Sequence, residues 1–121
     1  MGTQQHVCVV IESPYSGDLQ RNVEYALRAM QDCLKRGEAP FASHLLYTQV
    51  PKVGYVHDDN PTHVLVGRIG GISAGLAWAA RADKTVVYAD YGISQGMQMG
   101  IDHATSLLRE VEFRLIGANP Q

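Results

Sequence analysis

Two short runs rich in β-branched residues, "HVCVVI" (6–11) and "KTVVYAD" (84–90), each pass through a turn bearing glycine and serine into a helical repeat. A short apolar run bounded by turn residues reads as a strand buried on both faces. Strands that alternate with helices are joined by crossovers, which favour a mostly parallel sheet with helices on both sides. The other segments fit that alternation. Asp18 suits the N-cap of a first helix, because its carboxylate can accept free amide hydrogens of the first turn. Val23, Ala26, Leu27, Met30 and Leu34 then fall on one helical face, and Gly37 is a natural stop. "PFASHLLYTQ" (40–49) reads either as a short strand around Ser43 to Tyr47 or as one helical turn. A second helix runs from Thr62 or His63 to Arg81. A third carries Met97, Ile101, Ala104 and Leu108 on one face, before a last strand, "EVEFRLI" (110–116). The expected fold is α/β, three-layered, with a sheet of four or five mainly parallel strands.

The chain has 121 residues, the size of one domain, and 45% of them are hydrophobic, which supports a packed core over about 6–116. The net charge is -2 with the charges scattered, which argues against a binder of nucleic-acid backbone. Cys8 and Cys33 form no CxxC or Cys/His spacing and follow no export signal, so reduced thiols in a cytoplasmic protein are expected. No apolar run approaches the ~20 residues of a membrane span. "MGTQQH" places His6 where a myristoylation site wants Ser or Thr. His57, Asp58, Asp59 and His63 have metal-capable chemistry but match no metal motif, so no metal or cofactor is expected.

The second helix is rich in glycine, at Gly67, Gly70, Gly71 and Gly75, and each costs up to ~1 kcal/mol against alanine. Close approach of a sheet or of a second subunit would repay that, unless the helix breaks near Gly70 and Gly71. Ahead of it, "VPKVGYVHDDNPT" (50–62) reads as a long surface loop, a kind that is often functional. Asp58 or Asp59 could reach a ligand if that loop closes over the crevice.

Parallel sheets bind ligands beyond the C-terminal ends of their strands. Two segments belong there, "ESPYSGD" after the first strand and "DYGISQGMQ" after the 84–90 run. Ser13, Ser16 and Gly17 precede one helix, and Gly92, Ser94 and Gly96 precede another. Amides at such helix starts suit phosphate or carboxylate, or the residues simply make capped turns. Neither segment is GxGxxG or a P-loop. Asp90 could accept hydrogen bonds from ribose or base, or cap a helix. Tyr15 and Tyr91 offer faces for stacking, and His44 could contact phosphate or base or be a buried, hydrogen-bonded histidine. Arg21 and Arg68 are the nearest candidates to pair with a phosphate.

"SPY" after the first strand, the Asp-ended strand followed by "GISQGMQMGIDHA", and the strings "RGEAPFASHLLYTQ" and "ADKTVVYADYGISQGM" resemble the nucleoside 2-deoxyribosyltransferase superfamily. They look most like a small branch of it common in phage and bacterial genomes. The resemblance spans Val7 to Leu115 and implies a Rossmann-like fold with a pocket for a nucleoside or nucleotide-like ligand. It also implies a glutamate nucleophile two residues before a glycine of the helix after the Asp-ended strand. With Gly100 as that glycine, Gln98 stands at the nucleophile position. An amide is a poor nucleophile, though it can hydrogen-bond a sugar hydroxyl. By the same resemblance Tyr15 and Asp90 orient the nucleophile and bind base or sugar. If this helix aligns differently, Asp102 or Glu12 could supply a carboxylate.

Three functions follow as expectations. The first is a non-catalytic binder of a nucleotide-derived molecule of ADP-ribose type, which in a phage could sequester a host immune signal. The second is a nucleoside or nucleotide N-glycosidase or deoxyribosyltransferase. The third is an interaction module with a vestigial pocket. The resemblance implies a homo-oligomer under all three.

Overall fold

The computed structural model describes residues 6–49 and 69–118. The 50–62 loop, the start of the second expected helix, Gly67 and Arg68 lie outside the described residues. The elements run β1 (Val7–Glu12), α1 (Leu19–Lys35), β2 (Glu38–Phe41), α2 (Ser43–Leu46), α3 (Ile69–Ala79), β3 (Lys84–Tyr88), α4 (Gln95–Ser106) and β4 (Glu110–Arg114). The four strands form one parallel sheet in the order β2-β1-β3-β4. This is the Rossmann-like α/β architecture.

Local chemistry explains the boundaries. Asp18 caps α1, accepting from the Arg21 amide at 3.1 Å. Gly37 follows its end with φ of 79°, a left-handed turn that glycine adopts without strain. Pro40 pairs with Val9 in β2, at the sheet edge, where a missing N–H is tolerated. The Ser43 to Tyr47 stretch is a helical turn, and the strand lies just upstream of it. α4 ends at Ser106, so Leu108 leaves the expected apolar face and stands exposed with φ of 57°.

Strand alternation sorts the core into two layers. Val9 and Ile11 of β1 and Val86 and Tyr88 of β3 pack with Tyr25, Ala29 and Cys33 of α1. On the opposite face Val10 packs with Ala79 and Ala82, and Val87 with Met97 and Ile101 of α4. Glu12 shares the parity of Val10 and therefore turns toward the α3 and α4 side.

Two expectations are corrected. The buried face of α1 is Asn22, Tyr25, Ala26, Ala29 and Cys33, and Leu27 and Leu34 are exposed. The face is turned by one residue because polar members of the core side find partners. Asn22 donates to the Tyr15 and Ser16 carbonyls, and Tyr25 to Asp90. Cys33 lies 3.3 Å from the Tyr88 hydroxyl. Gly71 and Gly75 of α3 face α2 and its C-cap rather than the sheet. A Cβ at Gly75 would come 2.7 Å from Ser43 Oγ, and one at Gly71 would come 3.1 Å from Tyr47 Cβ. They seat α2, and α3 runs unbroken through Gly70 and Gly71.

Beneath α1, the Arg114 guanidinium holds Glu38 through contacts of 2.6 and 2.8 Å, the Tyr88 hydroxyl at 3.0 Å and Glu112 at 2.7 Å. One buried cation thus joins β2, β3 and β4. No helix among the described residues is long and apolar enough to cross a membrane.

Candidate functional site

The strand order reverses between β1 and β3, since β1 connects to β2 on one side and pairs with β3 on the other. A cavity of about 390 Å³ opens at the carboxyl ends of these strands. Its walls come from β1 and its loop (Glu12, Ser13, Tyr15, Ser16), α2 (Ser43, His44), α3 (Ile72, Gly75, Leu76) and the first turns of α4 (Ser94 to Met97, Met99, Gly100). This is the crevice in which open parallel sheets bind ligands, and its size suits a small molecule.

The loop after β1 is held in shape. Asn22 donates from α1 to the Tyr15 and Ser16 carbonyls at 2.9 and 3.0 Å, and Gly17 turns the chain with φ of 100°. Ser13 is buried, and its Oγ lies 2.8 Å from His44 Nε2. Burial lowers the His44 pKa to about 4, so the ring is neutral at pH 7. Tyr15 meets the same ring edge-on, with centroids 6.3 Å apart. On the opposite wall Ser94 caps α4, accepting from the Met97 amide at 3.2 Å. The amides of Gln95 and Gly96 are left without an intrahelical acceptor.

Glu12 is the residue with the most unusual surroundings. Its carboxyl lies against Gly100 so closely that a Cβ there would overlap it. Burial raises its pKa to about 8, so the acid form dominates at neutral pH. It makes no hydrogen bond or ion pair with any described residue. A half-buried carboxyl without a partner among the described residues, at a cavity wall, is a functional candidate.

Of the sequence candidates, Ser13, Tyr15, Ser16, His44 and Ser94 line this cavity together. Gly17, Asp90, Tyr91, Gly92 and Gln98 are not among its walls. Asp90 is a structural clamp. Its carboxylate accepts from the Tyr25 hydroxyl at 2.6 Å and from the amides of Ile116, Gly117 and Ala118 at 2.9, 2.9 and 3.0 Å. Tyr91 packs against Tyr25, with the Arg21 guanidinium 4.0 Å above its ring, beside a smaller depression of about 280 Å³. Gly92 makes a left-handed turn with φ of 87°. Gln98 is exposed and donates to Asp102 at 2.9 Å, outside the cavity. Of the two alternative carboxylates, Glu12 is in the site and Asp102 is not.

The walls from α3 escaped the sequence reading, and Gly100 entered it as an alignment anchor and not as the neighbour of Glu12. A glycine inside an otherwise regular helix, placed to face a strand-end acid, was the available signal. The described residues contain no group of three or more His, Cys, Asp or Glu that could hold a metal, and the His57 to His63 segment lies outside them.

Neither the curated proteins nor the solved structures give a match to the chain. A family model described as a domain of unknown function, DUF7768, matches residues 7–114. With nearly its whole length matched, the chain belongs to the DUF7768 family.

Proposed function

We propose that the protein binds a nucleoside- or nucleotide-derived small molecule of ADP-ribose type in the cavity between β1 and β3 and holds it without cleaving it. The supporting observation is the convergence there of unlike polar groups in one concave site. The Ser13–His44 pair, Tyr15, the Glu12 carboxyl and the first turn of α4 all face it. Tyr15 offers a stacking face for a base, and the free amides of α4 suit an anionic group. A carboxyl that is uncharged at pH 7 is no nucleophile, which favours holding over covalent chemistry. In a phage-encoded protein this binding would withdraw a host nucleotide signal. Homo-oligomerisation belongs to the same reading, supported by the exposed row Leu19, Leu27 and Leu34 on α1, and sedimentation tests it.

Glu12 also favours a second reading, an N-glycosidase. Its O–H would pass a proton to the departing base nitrogen as the glycosidic bond breaks. Water would add at the anomeric carbon and return a proton to the Glu12 carboxylate.

Purified protein incubated with nucleosides, nucleotides, NAD and ADP-ribose derivatives distinguishes the two. After filtration and denaturation, chromatography of both fractions reads the outcome. A compound retained and released intact is the expected result. Free base and sugar accumulating with time would establish the glycosidase instead. Retention of nothing, with no turnover, would overturn both.

A further inference from the structure

We propose that the Glu12 carboxyl, seated in the notch that Gly100 leaves open, selects the ligand by pairing with the edge of a planar heterocyclic base that carries an acceptor beside a donor. The inference rests on the nucleoside-binding reading of this cavity and names the chemistry that the site would recognise. Three features of the structure carry it. Glu12 is the last residue of β1, so the strand fixes its backbone. Sheet parity turns its side chain toward α4, where the absent side chain of Gly100 makes room for it. Glu12 lines the cavity, and its carboxyl has no hydrogen-bond partner among the described residues, so its hydrogen-bonding capacity is left for a ligand.

The protonation state decides what such a group reads. A carboxylic acid gives one hydrogen bond and takes another, side by side, and therefore matches an amidine or amide edge. An ionised carboxylate only accepts, and would match two adjacent donors. Burial keeps Glu12 in the acid form to about pH 8. Among the described residues the other ionisable groups at the cavity are Tyr15 and His44, on the β1 and α2 sides. The described wall residues of α3 and α4 carry no ionisable side chain. Asp102 of α4 is turned away and paired with Gln98.

The test compares retention of adenosine and uridine with that of N6,N6-dimethyladenosine and 3-methyluridine, in which methyl groups remove the donor of the edge. Wild-type protein, Glu12→Gln and Glu12→Ala are measured from pH 6 to pH 9, with thermal melting to verify folding. An amide keeps one donor and one acceptor at the same place. Glu12→Gln should therefore retain an unblocked nucleoside within about threefold of wild type, and Glu12→Ala should lose about tenfold or more. Wild-type retention of adenosine, which does not ionise over this range, should fall above pH 8 as Glu12 ionises, and that of Glu12→Gln should stay level. The blocked nucleosides should not be retained. Loss in Glu12→Gln equal to that in Glu12→Ala would overturn the inference, because a negative charge would then be required. Full retention by folded Glu12→Ala, or equal retention of blocked and unblocked compounds, would overturn it as well. Retention of no nucleoside by the wild type would instead sink the binding reading on which it stands.

Discussion

At the scale of single residues, two carboxyl groups at the ends of neighbouring strands have opposite fates. Asp90 is saturated by a hydroxyl and three backbone amides, and this donor set holds its pKa below the ordinary value despite the opposing effect of burial. Glu12 has no such donors, and burial raises it. Asp90→Ala should therefore cost about 2 kcal/mol in chemical denaturation, from lost hydrogen bonds to the chain after β4, and leave ligand retention unchanged. Gly100→Ala should do the reverse. Its new methyl group displaces the end of a flexible side chain, so melting should change little while retention of an unblocked nucleoside falls about tenfold. The sequence marked Asp90 and Tyr15 for similar reasons, a polar or aromatic group just beyond a strand. It could not separate them, because the amides that saturate Asp90 lie 26 to 28 residues away. Glu12 was visible only as a substitute, since parity says which residues share its face and not which helix covers that face.

At the scale of elements, the strands were legible and the helix faces less so. β1 and β3 stand where their β-branched runs placed them, within a residue or two. The α1 stripe was displaced by one position because hydrophobicity alone ranks Leu27 and Leu34 above Asn22, Tyr25 and Cys33. Polar side chains with secured partners can be buried at little cost, and those partners belong to other elements. A pair of substitutions tests the observed face. Leu27→Gln should change stability by no more than about 0.5 kcal/mol, as on an ordinary surface. Ala29→Leu, which forces extra methylenes against Val9 and Ile11, should cost about 1–3 kcal/mol. Equal effects at the two sites, measured by denaturant midpoint, would contradict the packing. α3 taught a related lesson. Gly71 and Gly75 meet the side chains of Tyr47 and Ser43, from a single helical turn and its C-cap too short to announce themselves in the sequence.

At the scale of the whole molecule, the two faces of the sheet answer differently to pH. The α1 face carries the ion network, in which Arg114, then Lys84, lowers the Glu112 pKa to about 2. Glu38 is lowered too, by Arg114 first. Groups with depressed folded pKa values give stability that is present above their unfolded values and lost as the pH falls through the folded ones. His44, lowered to about 4, acts in the same direction between its ordinary value of 6.5 and that point. Glu12 has the opposite sign. Its folded pKa is raised, so its contribution is full below 4.5 and is lost as the pH rises to about 8. The wild type should therefore lose stability between neutrality and pH 8, and Glu12→Gln should remove that slope, raising the melting temperature at pH 8 more than at pH 5. Arg114→Leu should destabilise by about 3 kcal/mol, since buried Glu38 would lose its two-pronged partner and keep only Lys84, at 3.7 Å.

The most direct test of the account is a carbon-13 titration of the glutamate side-chain carboxyls by NMR. One resonance should have its midpoint near pH 8, be absent from Glu12→Gln and be displaced when a retained nucleoside is added. Glutamates that all titrate near the ordinary value of about 4.3, with none moved by the nucleoside, would contradict it.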